Sequence, residues 1–120
     1  MMNIEVFREY CLKKPFVTES FPFDSNTLVF KVGGKMFALC DIDSFESVNL
    51  KAHPERAEEL RAQYFGIKPG YHMNKRHWNS VMVNADVDTQ LLLLLIDESY
   101  EIVFAGLPKK ERSKLLDTGA

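Results

Sequence analysis

Residues 68–79 hold the side chains best suited to recognition chemistry in this chain. Lys68, Lys75 and Arg76 are cations able to contact phosphate oxygens, while Asn74 and Asn79 add amides and His72 and His77 add imidazoles. Trp78, the only tryptophan, offers a face on which a base or sugar can stack. No carboxylate interrupts the run. Presented on an exposed ribbon, this set would hold a polyanion by phosphate contacts and stacking. The competing reading is structural: Trp78 packs into the core, the asparagines tie down turns, and the cations are ordinary surface charge.

Other chemistries find less support. His72 and His77 are five residues apart, on opposite faces of a regular strand, and no nearby Cys, Asp or Glu completes a metal-ligand set. There is no glycine-rich phosphate loop, no nucleophile elbow and no Cys beside a histidine. A His72 acid–base pair with Asp24 or Tyr71 is not singled out by spacing. The expectation is a non-enzymatic domain with no cofactor.

Composition bounds the rest. A chain of 120 residues with 46% hydrophobic and 27% charged residues fits one domain, able to bury roughly two-thirds of its unfolded surface. The net charge of -2 gives no global attraction to nucleic acid, but the charge is segregated along the chain. Residues 66–80 contain Lys68, Lys75 and Arg76 and no acid, whereas residues 81–108 contain Asp86, Asp88, Asp97, Glu98 and Glu101 and no Lys or Arg. A polyanion would have to dock locally. Cys11 and Cys40 lie among apolar neighbours, the pattern of reduced core thiols, and no leader-like segment precedes them, so a cytoplasmic location is expected. The longest apolar run, residues 91–96, is far short of the ~18 needed to cross a bilayer, so no membrane contact is expected.

The elements that must position residues 68–79 follow from periodicity and punctuation. Residues 3–13 read as an amphipathic helix capped by Asn3 and stopped by Pro15. Residues 16–23 read as an edge strand ended by Pro22. Residues 27–32 and 35–40 flank Gly33-Gly34 as a tight hairpin, and residues 46–51 form a further strand with Val48 and Leu50 inward. A second helix runs from Pro54 to about Tyr64, with Gly66 as its cap. A strand at residues 80–83 precedes a long helix capped by Asp86 or Asp88 and ending at Gly106. Leucines at 91–95 go most of the way round that helix, so it must be covered on several sides, by the core or by a second subunit in a homodimer. The expected fold is α+β, a two-layer sandwich with a mostly antiparallel sheet and helices on one face. Residues 1–108 would form a single domain and residues 109–120 a basic C-terminal tail, able to form one or two helical turns but expected to be solvated and frayed.

Several motifs carry a family resemblance. They are Phe21-Pro22-Phe23-Asp24, Leu28-Val29-Phe30-Lys31-Val32-Gly33-Gly34-Lys35-Met36-Phe37-Ala38, Pro69-Gly70-Tyr71-His72-Met73-Asn74-Lys75-Arg76-His77-Trp78-Asn79, Ser99-Tyr100 and Gly106-Leu107-Pro108. In this order, over nearly the whole chain, they resemble the MmcQ/YjbR family. The resemblance implies a small α+β domain related in fold to bacterial frataxin homologues, with DNA as the partner; the residue types at 68–79 are then the expected source of the phosphate contacts. Two alternatives stay open. One is a protein-interaction module using an exposed sheet face and Trp78. The other is a frataxin-like metal-handling protein, although the first helix mixes Glu5 and Glu9 with Arg8, Lys13 and Lys14 instead of being acidic.

Overall fold

The computed structural model describes residues 2–71 and 73–118. The elements run α1 (Ile4–Leu12), β1 (Val17–Ser20), β2 (Thr27–Val32), β3 (Lys35–Asp41), β4 (Ser47–Lys51), α2 (Pro54–Gln63), β5 (Ile67–Pro69), β6 (Trp78–Met82), α3 (Thr89–Ala105) and α4 (Lys109–Thr118). The strands form one sheet in the order β1-β2-β3-β4-β6-β5, with every pair antiparallel. Helices cover one face of it, so the architecture is α+β in two layers.

Local chemistry accounts for the boundaries. Asn3 and Asp88 cap α1 and α3 by accepting hydrogen bonds from the Val6 and Leu91 amides. Gly33 and Gly34 have φ of +59° and +79°, the left-handed conformation a two-residue hairpin loop requires. Asp24 accepts hydrogen bonds from the Asn26 and Thr27 amides and the Thr27 hydroxyl, which fixes the turn into β2.

The main core lies between the sheet and the helices. Leu28, Phe30 and Val32 of β2, Val48 and Leu50 of β4, Ile67 and Val81 meet Phe7 and Cys11 of α1 and Leu92, Leu95, Ile96, Tyr100 and Val103 of α3. In β3 both Phe37 and Ala38 belong to this core, because a bulge puts an extra residue opposite the Phe30/Lys31 step. The Ser99 hydroxyl of α3 bridges β3 and β4 just past Ala38–Leu50, where their pairing stops. It accepts from the Lys51 amide (2.8 Å) and donates to the Phe37 carbonyl (2.5 Å).

Three features differ from the sequence reading. Tyr64, with an extended backbone, ends α2, and Gly66 instead lets its amide reach the Asp86 carboxylate at 2.7 Å. Two short strands, β5 and β6, enclose the polar run, which is therefore not wholly a surface ribbon. Lastly, α4 is helical where a solvated tail is expected, tied to the end of α3 by the Arg112 guanidinium on the Ala105 carbonyl (2.9 Å).

Candidate nucleic-acid interface

Register defines the sheet face that no helix covers. Val29 lies opposite Leu39, Leu39 opposite Asn49, Asn49 opposite Ser80, and Ser80 opposite Lys68. Directly opposed residues share a face, so these five form one row across it. Nearer the Gly33-Gly34 hairpin, Lys31 opposes Met36 and Lys51 opposes Trp78. Val29, Leu39 and Trp78 form a small second core here, with Met36 and Met73 against it. The far end of the sheet, where β2 begins and β3 ends, bears Asp24, Asp41 and Glu46 along a cavity of about 720 Å³ on the open face.

The residues expected to recognise a polyanion separate into three groups. Lys68, Lys75 and Arg76 are exposed, and among the described residues none is in an ion pair. The Lys68 ammonium sits 4.5 Å from the centroid of the exposed Phe65 ring, and the Lys75 ammonium reaches the Gly70 carbonyl at 3.4 Å. Asn74 and His77 serve the loop. The Asn74 side chain accepts from the Arg76 amide, its carbonyl accepts from the His77 and Trp78 amides, and the His77 carbonyl accepts from the Ala52 amide.

Trp78 and Asn79 require correction as surface contacts. Trp78 is only 7% exposed and packs on Val29 and Leu39, which leaves no ring face for stacking. Asn79 is 2% exposed and turns to the helix side, accepting from Arg61 (2.9 Å) and donating to the Ala57 carbonyl (3.3 Å). Arg61 also donates to the Lys75 carbonyl at 3.0 Å, so α2 braces the loop that bears Lys75 and Arg76. Gly70 permits this close folding, since its amide bonds the Trp78 carbonyl and a Cβ there would lie 2.8 Å from that of Trp78. His72 lies outside the described residues.

The fold adds cations that sequence proximity does not reveal. Lys35, Met36, Lys51 and Trp78 line a second, shallower cavity of about 340 Å³, beside Gly106 at the end of α3. The hairpin end of the molecule thus gathers Lys31, Lys35, Lys51, Lys75 and Arg76, with Lys109 and Lys110 starting α4 just past Gly106. Glu55, in the first turn of α2, is an acid at the same end. Strand alternation would have placed Lys31 and Lys51 on the open face, and that was the available signal.

The electrostatics of the far end run the other way. Hydrogen bonds from the Asn26 and Thr27 amides hold the Asp24 carboxyl below its usual range. Burial pushes the Cys40 thiol up to about 12, and Cys11 is raised by the same cause, so both free cysteines stay protonated. No group of three or more His, Cys, Asp and Glu among the described residues is arranged to hold a metal ion. Among the described residues no helix is long and apolar enough to cross a membrane.

Comparison with known proteins supplies the relationships. The sequence pattern of the YjbR family matches residues 12–102. The Escherichia coli O157:H7 protein YbdF is 38% identical over 112 residues, 92% of each chain. YjbR of Escherichia coli strain K12 is 32% identical over 116 residues, covering 96% of this chain and 98% of its own. Among solved structures, Deinococcus radiodurans protein DR2400, of domain family DUF419, superposes with a TM-score of 0.89 at 41% identity, over 100% of this chain and 96% of that one. A Pseudomonas syringae protein gives 0.71 at 29% identity, over 85% and 99%. With the profile spanning most of the chain and these relatives aligned almost end to end, the chain belongs to the YjbR family.

Proposed function

We propose that this protein is a non-catalytic nucleic-acid-binding domain that docks duplex DNA against the hairpin end of its sheet. The observation that carries this reading is the convergence there of Lys31, Lys35, Lys51, Lys75 and Arg76, the last two exposed and in no ion pair among the described residues. Exposed cations free of carboxylates release condensed counterions when they meet phosphates, and this drives sequence-independent association. With Trp78 and Asn79 buried, neither offers a base contact, and the contacts made by the hairpin-end cations are to the backbone. Lys68, farther along the open face, is a peripheral contact.

Fluorescence anisotropy of a labelled duplex across a salt series tests the reading. The logarithm of affinity should fall linearly with that of salt, and a Lys75→Ala, Arg76→Ala double variant should flatten the slope by roughly 0.9 for each phosphate contact removed. An unchanged slope would remove these residues from the interface. Binding of a protein to the open face through exposed Phe23 and Tyr71 would instead be nearly independent of salt.

A further inference from the structure

The cavity on the open sheet face runs from the carboxylates at the far end of the sheet to Met36 and Asn74 beside the cationic end, and its acidic lining has a chemistry that DNA docking does not use. Its volume, about 720 Å³, falls within the range of small-molecule sites. Leu39 and Met36 supply an apolar floor. Phe23 and Tyr71, from loops on opposite sides, stand at its rim with 64% and 72% of their surfaces exposed. Asn49, held by the Ser80 hydroxyl, adds a polar point in the floor.

The charge in the lining has one sign. Asp24, Asp41 and Glu46 contribute carboxylates, and none of the described lining residues is Lys, Arg or His. Asp24 spends both oxygens on the turn before β2. Asp41 uses only Oδ1, for the Asp43 and Ser44 amides, and Glu46 has no side-chain partner among the described residues. One Asp41 oxygen and the whole Glu46 carboxylate thus remain as acceptors beside an apolar floor and two aromatic rings, whose negative faces also attract cations.

We propose that this cavity binds a small organic cation, an ammonium or guanidinium group on an apolar body. The charged head donates to Asp41 and Glu46 while the body lies on Leu39 and Met36 between Phe23 and Tyr71. Anionic ligands, nucleotides included, are disfavoured by the uncompensated carboxylates. The proposal does not rest on the DNA reading, because its charged head uses Asp41 and Glu46 and none of the hairpin-end cations.

Isothermal titration and amide chemical-shift mapping of the full chain test it. The probes are phenethylammonium, 2-phenylethanol and 3-phenylpropanoate, which share an apolar body and differ in charge. Phenethylammonium should bind with shifts centred on Leu39, Asp41 and Asn49, at least roughly tenfold tighter than 3-phenylpropanoate. An Asp41→Asn, Glu46→Gln double variant should lose that preference yet keep its affinity for 2-phenylethanol, which shows that the cavity is intact. Acetyl-Gly-Lys-Gly-amide carries the same head on a peptide and should bind more weakly than phenethylammonium. Tighter binding of the peptide would overturn the assignment to a free amine. Equal affinity for the ammonium and carboxylate probes, shifts mapping elsewhere, or a charge preference that survives in the variant would overturn the cavity's role altogether.

Discussion

Asp24 shows how one residue serves both local structure and the field around the open face. Its carboxylate accepts from two amides and a hydroxyl, so folding favours its ionised form and its pKa lies lower in the folded chain than in the unfolded one. The stabilisation is therefore complete above the unfolded value, about pH 4, and is lost as pH falls through the folded one. Glu19, held ionised chiefly by its hydrogen bond with Arg8, acts in the same direction. An Asp24→Asn variant keeps an oxygen for the Asn26 and Thr27 amides but does not titrate. Its urea midpoint should drop less than that of the unaltered chain between about pH 6 and pH 3. Parallel losses in the two proteins would show that the carboxylate charge has no part in holding this turn.

At the level of elements, much of the fold was legible because local signals agreed with it. Asn3 before an apolar three-four spacing, Gly33-Gly34 between alternating strands and Pro54 opening a helix each have a single low-energy outcome. What was hidden depends on tertiary geometry. Nothing in the sequence announces that β3 bulges so that Phe37 and Ala38 both enter the core and leave Leu39 with Trp78 on the other face. The polarity of residues 68–79 also misled for a physical reason. Asn79 looks solvent-seeking, yet its burial is satisfied by Arg61 and Ala57, residues distant in sequence. The cations were legible only as types, since the contribution of Lys31, Lys35 and Lys51 needs the sheet register. The end of the β3–β4 ladder carries its own prediction. Ser99→Ala deprives both the Phe37 carbonyl and the Lys51 amide of their buried partner, so unfolding free energy should drop by about 1–3 kcal/mol. A lower urea midpoint at unchanged slope would show it, whereas an unchanged midpoint would mean that β3 and β4 extend their own ladder to Phe37 and Lys51.

For the whole molecule, a net charge of -2 conceals a polarity along the strands. Cations collect where the β2–β3 hairpin turns, and Asp24, Asp41 and Glu46 line the other end. From Lys35 to Asp41 the strand covers about 20 Å, taking about 3.3 Å per residue. That exceeds the screening length of about 8 Å at 0.15 M salt but falls within the roughly 30 Å that applies at 0.01 M. The carboxylate pole should therefore oppose DNA docking only when salt is low. In an Asp41→Asn, Glu46→Gln double variant, duplex affinity relative to the unaltered chain should be near one at about 0.15 M and rise several-fold at about 0.01 M. The Lys75→Ala, Arg76→Ala variant should weaken binding at both. A carboxylate effect of equal size at the two salt concentrations would place those acids in contact with the duplex, and the separation of the two poles would no longer explain how an acidic chain holds a polyanion.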